Sequence, residues 1–546
     1  MPTVSARIVS ALQPVAAEVF GVMGNGNAHF LDAVMAVPEA FHYTAVRHEA
    51  GAVAAADAYY RARGRLAVAT TTYGAGFTNA LTPLAEAAQA GIPLVLVVGD
   101  APTTGPRPWD VDQVQMAKAL GVTTFTVSAT RPLEVTAQAF DHALHHREPV
   151  VLAIPYDLAA VDAAEEAAPV QAPPPALHQP APDDVEQVAA LLSAAERPLV
   201  LAGRGAWLSG ARDAARGLAQ RTGALLATSG LGAGLFGDDD AALGIAGGWA
   251  SDRTADLIAQ ADVVLVLGAG LNQFTTRFGH AFHAGAHVIQ VDVAAASTSP
   301  VVTRFVRADA RTAAEALLAV LPARQHDRWR DAVDSRNAHA ARPDGDALAP
   351  DGRLDPRSLC RVLDRLLPED RAVVQDGGHF IGWAPGYLRV PAPNRLIMVG
   401  TAYQTIGLGF PSAVGAARAL PDQTLVLCTG DGGGLMALAD LDSFIRTARR
   451  AVIVVFNDAA YGAEIHQYAV RGIHSGPMMI DEVDFAALAS ALGATGTSIR
   501  TLEDLDGVAD WLASDDDGVL LLDCKVSQQV VAPYMQEIVA VAAGAK

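Results

Sequence analysis

Thr424-Leu-Val-Leu-Cys428 runs into Gly430-Asp431-Gly432-Gly433-Gly434, and Ala451-Val-Ile-Val-Val-Phe456 runs into Asn457-Asp458. Both apolar runs are continuous rather than alternating, the pattern of strands covered on both faces of a parallel sheet. The 24 residues between Gly432 and Asn457 accommodate a helix. Two neighbouring parallel strands therefore deliver carboxylate and amide oxygens to one sheet edge, where α/β proteins bind ligands. Hard oxygen donors there suit Mg²⁺, a cation usually completed by phosphate. The adjoining glycines let backbone approach such a phosphate. Glycines and acids also end strands in any α/β protein, so the rest of the chain decides.

Working outward, similar runs recur at Leu94–Val98, Leu199–Ala202, Val263–Leu267 and Val288–Val291, alternating with longer helical stretches. Alternation of this kind implies right-handed βαβ units. Two compositional breaks divide the chain. Ala163 to Asp184 is rich in Ala, Pro and Glu, includes Pro173-Pro174-Pro175, and reads as an extended spacer. Asp334 to Asp355 carries Arg342-Pro-Asp-Gly-Asp346 and Pro350-Asp-Gly352, both turn signals. The expectation is three consecutive doubly wound α/β domains, at 1–165, 185–333 and 356–546.

A net charge of −20 argues against nucleic acid and against an anionic membrane surface. Cys360, Cys428 and Cys524 have neither disulfide-framework nor zinc spacing and read as small core residues. No basic region followed by a long apolar stretch opens the chain, and no run approaches the ~18 apolar residues of a membrane span. A soluble cytoplasmic protein is expected.

Arg47-His48-Glu49 precedes Ala50-Gly-Ala-Val-Ala-Ala-Ala-Asp57, a helix of small residues with Glu49 at its start. A carboxylate there is ordinarily a helix-dipole charge. Inside an apolar cofactor pocket its pKa rises and it becomes a proton donor or acceptor. Together these features resemble the thiamine diphosphate-dependent enzymes, the family of acetolactate synthases, benzoylformate decarboxylases and pyruvate decarboxylases, over nearly the whole chain. Further matches are Gly21-Val-Met-Gly24-Asn25-Gly26-Asn27, Thr72-Tyr-Gly-Ala-Gly-Phe-Thr-Asn79 and Thr405-Ile406-Gly407-Leu-Gly409-Phe-Pro411, all in family order.

The resemblance implies that Asp431, Asp458 and the main-chain oxygen of Ala460 ligate Mg²⁺. Asp458 departs from the family's usual Asn and adds negative charge. Glu49 corresponds to the residue that hydrogen-bonds the cofactor's pyrimidine ring and favours the tautomer that generates the ylide. Ile406 corresponds to the apolar wedge that bends the cofactor, with an ordinary core isoleucine as the alternative. Asn25, Thr72, Asn79, Gly378, His379, Thr405, Gly430, Gly432, Gly433, Tyr461 and Gly462 fall at the family's cofactor positions. Because the glutamate and the metal site come from different subunits in this family, a homodimer or homotetramer is implied.

Glu464 falls where pyruvate decarboxylases carry an active-site acid; a solvated helix charge is the alternative. Gln113 matches a cofactor-side glutamine of acetolactate synthases, and His29 and His379 lie where they could relay protons near neutral pH. The missing paired histidines, and Asn25 in place of aspartate, argue against a simple pyruvate decarboxylase. In the middle third, Gly232-Ala-Gly234-Leu-Phe-Gly237 is a weak dinucleotide fingerprint. Leu271 stands where acetolactate synthases have an arginine, which argues against FAD. ADP, as in oxalyl-CoA decarboxylase-like relatives, and an empty structural domain both stay open. The implied activity is acetolactate synthase-like: a carboligase or lyase acting on 2-oxo acid or aldehyde substrates through a ylide and a carbanion/enamine. The alternatives are a 2-oxo acid decarboxylase, a 2-hydroxyacyl-CoA lyase and a non-catalytic cofactor binder.

Overall fold

Three six-stranded sheets, every strand pair parallel, account for the continuous apolar runs. The computed structural model describes residues 1–167, 172–173, 176–323, 328–335, 338, 342–514 and 517–543. The N-terminal sheet comprises β1 (Glu18–Gly21), β2 (His42–Ala45), β3 (Val68–Thr71), β4 (Leu94–Asp100), β5 (Thr123–Thr126) and β6 (Pro149–Pro155). The middle sheet comprises β7 (Pro198–Ala202), β8 (Leu225–Thr228), β9 (Ala242–Ile245), β10 (Val263–Leu267), β11 (His287–Asp292) and β12 (Arg304–Arg307). The C-terminal sheet comprises β13 (Ala372–Gln375), β14 (Leu396–Met398), β15 (Leu425–Gly430), β16 (Arg450–Asn457), β17 (Thr495–Ile499) and β18 (Gly518–Lys525). The central strands of each sheet are fully buried, as double-sided cover by helices requires.

The N- and C-terminal sheets share one strand permutation, β2-β1-β3-β4-β6-β5 and β14-β13-β15-β16-β18-β17. The middle sheet runs β12-β11-β10-β7-β8-β9. Its order reverses between β7 and β10, the switch point of a dinucleotide-type sheet.

The helices Glu49–Arg63 and Gly409–Ala419 weld the first sheet to the third, and their apolar residues join one core. They cross so closely that a Cβ on Gly415 would lie 1.9 Å from the carbonyl oxygen of Ala55. The alanine run from Ala50 onward is thus a packing surface for a second helix backbone.

The Ala-Pro-rich spacer is tied down at both ends rather than free. Glu166 accepts the N–H groups of Leu133 and Glu134 at the start of the helix Pro132–His146, where a carboxylate complements the dipole. The His178 carbonyl accepts Asp309 N–H and the Thr312 hydroxyl. Pro174 and Pro175 lie outside the described residues. Among the described residues no helix is long and apolar enough to cross a membrane.

Candidate active site

β15 and β16 pair with Gly430 beside Phe456, so Asp431 and Asp458 emerge at one sheet edge. Asp431 opens the short helix Asp431–Met436 and is almost fully buried. Its Oδ1 accepts Gly432 N–H at 2.9 Å, while its Oδ2 is buried with no hydrogen-bond partner. Burial pushes Asp431 up to about 6. Burial, then repulsion from Asp431, pushes Asp458 up to about 8. Among the described residues neither carboxylate forms an ion pair.

Two adjacent buried carboxylates with an orphaned oxygen are unstable as anions unless a cation joins them. An all-oxygen set suits Mg²⁺, but two carboxylates leave most of an octahedron to fill. Ala460 lines the cavity from the same turn, where Ala459 adopts a left-handed φ of 58°. Phosphate oxygens fit the remaining positions. Gly432 and Gly462 keep this space open: a Cβ on Gly432 would lie 2.6 Å from the Tyr461 ring, and one on Gly462 would lie 2.8 Å from Asp458 Oδ2. Asn457 turns the other way. Its Nδ2 donates to Val483 O at 3.0 Å and Asp523 Oδ1 at 2.9 Å, so it belongs to the core.

Ile406 packs on Gly377, where a Cβ would lie 2.9 Å from Ile406 Cγ2. Asp376 holds the residues after it, accepting Gly407 N–H at 3.1 Å and Leu408 N–H at 3.3 Å. His379 Nε2 accepts Ala532 N–H at 2.9 Å, which leaves its proton on Nδ1. Burial, with the adjacent His466, lowers His379 to about 3. His379 therefore stays neutral near pH 7, with a fixed N–H on Nδ1. Gly378, Thr405, Gly433 and the exposed Glu464 line the same cavity of about 1980 Å³. Glu464 is close enough to Tyr534 for its charge to help burial raise that phenol.

Glu49 does not line this cavity. It opens the helix Glu49–Arg63, and Arg47 anchors the approach by donating its N–H to Asp440 and its Nε to Asp442. Glu49 Oε2 accepts Asn79 Nδ2 at 3.0 Å, and Gly76 leaves room beside Oε1. Thr72 Oγ1 accepts Gly26 N–H at 2.9 Å, and Asn25 donates to the Tyr73 hydroxyl at 3.0 Å. Gln113 is buried and spent within the chain: it accepts Gly74 N–H and donates to Gly99 O and Asp100 Oδ1. It braces the Tyr73-Gly74 loop. His29 is exposed on the following helix. One chain thus carries two separate clusters, each at the C-terminal edge of its own sheet.

The large cavity continues into the middle domain at the β7/β10 switch point. There Gly203, Gly205 and Gly268 meet backbone to backbone; a Cβ on Gly203 would lie 2.4 Å from Gly268 O. Gly232 packs against the same point, where a Cβ would lie 2.6 Å from Ala202 O, while Gly234 and Gly237 lie farther along the loop. They lie in turns that open no α-helix, and Gly234 abuts Val390 and Ala392. The fingerprint reading therefore fails on context, and the glycine pair after β7 marks the cleft. Arg204, between those glycines, donates to Ala90 O, while its Nη1 is buried without a partner. Burial, then Arg61 and Arg147, lowers it to about 10.

Comparison with known proteins agrees with this geometry. Residues 2–120, 185–317 and 376–524 match the N-terminal TPP binding, central and C-terminal TPP binding domains of thiamine pyrophosphate enzymes. The chain is 30% identical over 490 residues to the acetolactate synthase isozyme 2 large subunit of Escherichia coli (strain K12), covering 87% of each chain. It is 29% identical over 534 residues to sulfoacetaldehyde acetyltransferase of Castellaniella defragrans, covering 89% of this chain and 86% of that one. Its fold superposes on benzoylformate decarboxylase from Polynucleobacter necessarius with a TM-score of 0.81 at 20% identity, covering 97% and 99%. With the buried carboxylate pair at one sheet edge and Glu49 at another, these matches establish that the chain belongs to the thiamine pyrophosphate enzymes, as an enzyme of the acetolactate synthase/decarboxylase type.

Proposed function

We propose that the chain is a thiamine diphosphate- and Mg²⁺-dependent carboligase or lyase of 2-oxo acids, acetolactate synthase-like, with its active site completed by a second copy. The observation that carries this reading is the Asp431–Asp458 pair on the same cavity as Ile406, with Asp431 raised by burial and Asp458 by burial and then by repulsion from Asp431. Asp431, Asp458 and the Ala460 carbonyl would hold Mg²⁺, and Gly432, Gly433 and Gly462 would admit the diphosphate. The bound cofactor supplies the electron sink that lets a bond beside a carbonyl break or form.

The chain's own residues supply geometry and proton control. Asn79 engages Glu49 Oε2 and so leaves Oε1 to face a pyrimidine ring. Enclosure by a second subunit would strip water from Glu49 and favour its protonated form. Ile406, held between Gly377 and the Asp376-bound turn, would pack against the cofactor as its apolar wedge. His379 offers a neutral N–H that does not change with pH near 7. The separation of the two clusters supports a homodimer or homotetramer.

Product analysis after adding pyruvate with thiamine diphosphate and Mg²⁺ tests the reading. Acetolactate or acetoin is expected; free aldehyde alone would replace ligation with simple decarboxylation. A 2-hydroxyacyl-CoA lyase is the second reading, favoured by Arg204. A buried guanidinium without a carboxylate at a dinucleotide-type switch point suits the phosphates of a nucleotide or a CoA, ADP more readily than FAD.

A further inference from the structure

Between the two clusters runs a chain of buried charge with no part in holding the cofactor. On the helix Glu49–Arg63, Asp57 and Arg61 lie one turn apart and pair. Arg61 Nη2 also donates to Glu86 Oε1 at 3.1 Å. Asp57 and Glu86 are 0% exposed, and Arg61 is 9% exposed. Buried ions are tolerated only where further hydrogen bonds satisfy them. The second oxygen of Glu86 makes such a bond across domains: Oε2 accepts Tyr403 N–H at 2.7 Å.

Tyr403 belongs to the segment Gly400–Gly407 that carries Ile406. Gly400, Gln404 and Gly407 have φ values of 111°, 57° and 79°, and Thr401 to Gln404 are exposed. A glutamine in the left-handed region persists only where its surroundings over-determine it. After Ile406 those surroundings are Asp376, through Gly407 and Leu408. Before Ile406 they are the Thr405 N–H bond to Gly400 O at 2.9 Å, which closes the loop on itself, and Glu86, which comes from the other sheet's domain.

We propose that Glu86 is a positioning residue: it holds the segment Gly400–Ile406 through Tyr403 N–H, with Arg61 bonded to its other oxygen. This rests on the reading of Ile406 as the cofactor wedge. A charged acceptor makes the stronger bond. The same ion pair is rooted on the helix that starts at Glu49, so the wedge segment and that helix share one buried anchor.

Amide hydrogen exchange on the wild-type chain without cofactor tests this first. Tyr403 N–H should exchange ~100-fold more slowly than the amides of its exposed neighbours Ala402 and Gln404. Equal rates would overturn the proposal. In Glu86→Ala, residues 400–408 should exchange ~10-fold faster, the thiamine diphosphate Kd should rise ~10-fold by calorimetry, and kcat should fall more than KM changes. Glu86→Gln, which can keep its oxygen on Tyr403 N–H only by turning its amide N–H₂ toward the Arg61 guanidinium, should recover part of each. Wild-type exchange at 400–408 in Glu86→Ala overturns the proposal as well. Full activity in Ile406→Ala would sink the wedge reading alone, because the exchange of Tyr403 is measured independently of it.

Discussion

The first and third sheets have the same strand permutation yet present opposite chemistry at their C-terminal edges. The N-terminal edge carries Glu49, Asn25, Thr72 and Asn79, half-buried or exposed groups whose hydrogen bonds close within the edge. The C-terminal edge buries two carboxylates and leaves one oxygen unsatisfied. One edge closes its hydrogen bonds on itself; the other gathers two carboxylates and leaves Asp431 Oδ2 unpaired. Identical topology fixes where a site can be, and a few residues at the strand ends decide what it does.

The largest expected effect separates the edges by role. Glu49→Gln should retain thiamine diphosphate binding by calorimetry while kcat falls ~10²–10⁴-fold, the range for loss of a positioned acid or base. Asp431→Ala should abolish binding itself. If Glu49→Gln also lost binding, the contrast between a proton-handling edge and a cofactor-holding edge would collapse.

The next test asks whether the two edges of one chain serve one site or two. Glu49→Gln and Asp431→Ala, each inactive, are mixed under conditions that allow subunit exchange. If sites form between copies, each hybrid dimer has one intact site, and about a quarter of wild-type activity returns. If Glu49 and Asp431 of the same chain act together, none returns. That outcome would remove the two-copy reading while leaving the cofactor assignment standing.

What the sequence discloses follows from how local each determinant is. Leu425 to Gly430 and Arg450 to Asn457 declare themselves as buried parallel strands through four or more consecutive apolar residues, and Asp431 and Asp458 inherit their place from them. Asn457, one residue from Asp458, points into the core because strand alternation sends neighbours to opposite sides. The Asp57–Arg61–Glu86 group was invisible: its third member lies 25 residues from Arg61 and its fourth partner, Tyr403, 317 residues from Glu86. No periodicity encodes such a contact. Gly232, Gly234 and Gly237 misled because a chain rich in glycine matches short glycine patterns by chance, whereas Gly203 and Gly205, directly after β7, had the right context. His379 appeared titratable because burial is not written in a histidine's neighbours.

A smaller effect probes the charge at the enclosed edge. With Asp431 and Asp458 as the proposed ligands, Mg²⁺ would displace the protons that burial favours on Asp458, at about 8, and Asp431, at about 6. Metal affinity measured by calorimetry should therefore fall ~10–100-fold between pH 8 and pH 6. A pH-independent affinity would show that the carboxylates are not the ligands.

The smallest effect isolates the repulsion between them. Both groups have folded pKa values above the ordinary carboxylate value of ~3.9. The folded state therefore holds protons that the unfolded chain has released, and stability falls as pH rises from about 4 to about 8. Asp458→Asn removes the larger share of that loss. Without Mg²⁺, its thermal midpoint should exceed wild type by about 2 °C at pH 8 and match it at about pH 4. Saturating Mg²⁺ should reverse the order at pH 8, because the cation stabilises the wild-type pair more than the substituted one. The N-terminal edge has no such pair, so Glu49→Gln should leave the midpoint unmoved by Mg²⁺ relative to wild type; a shift there would mean that the two edges are electrostatically one site.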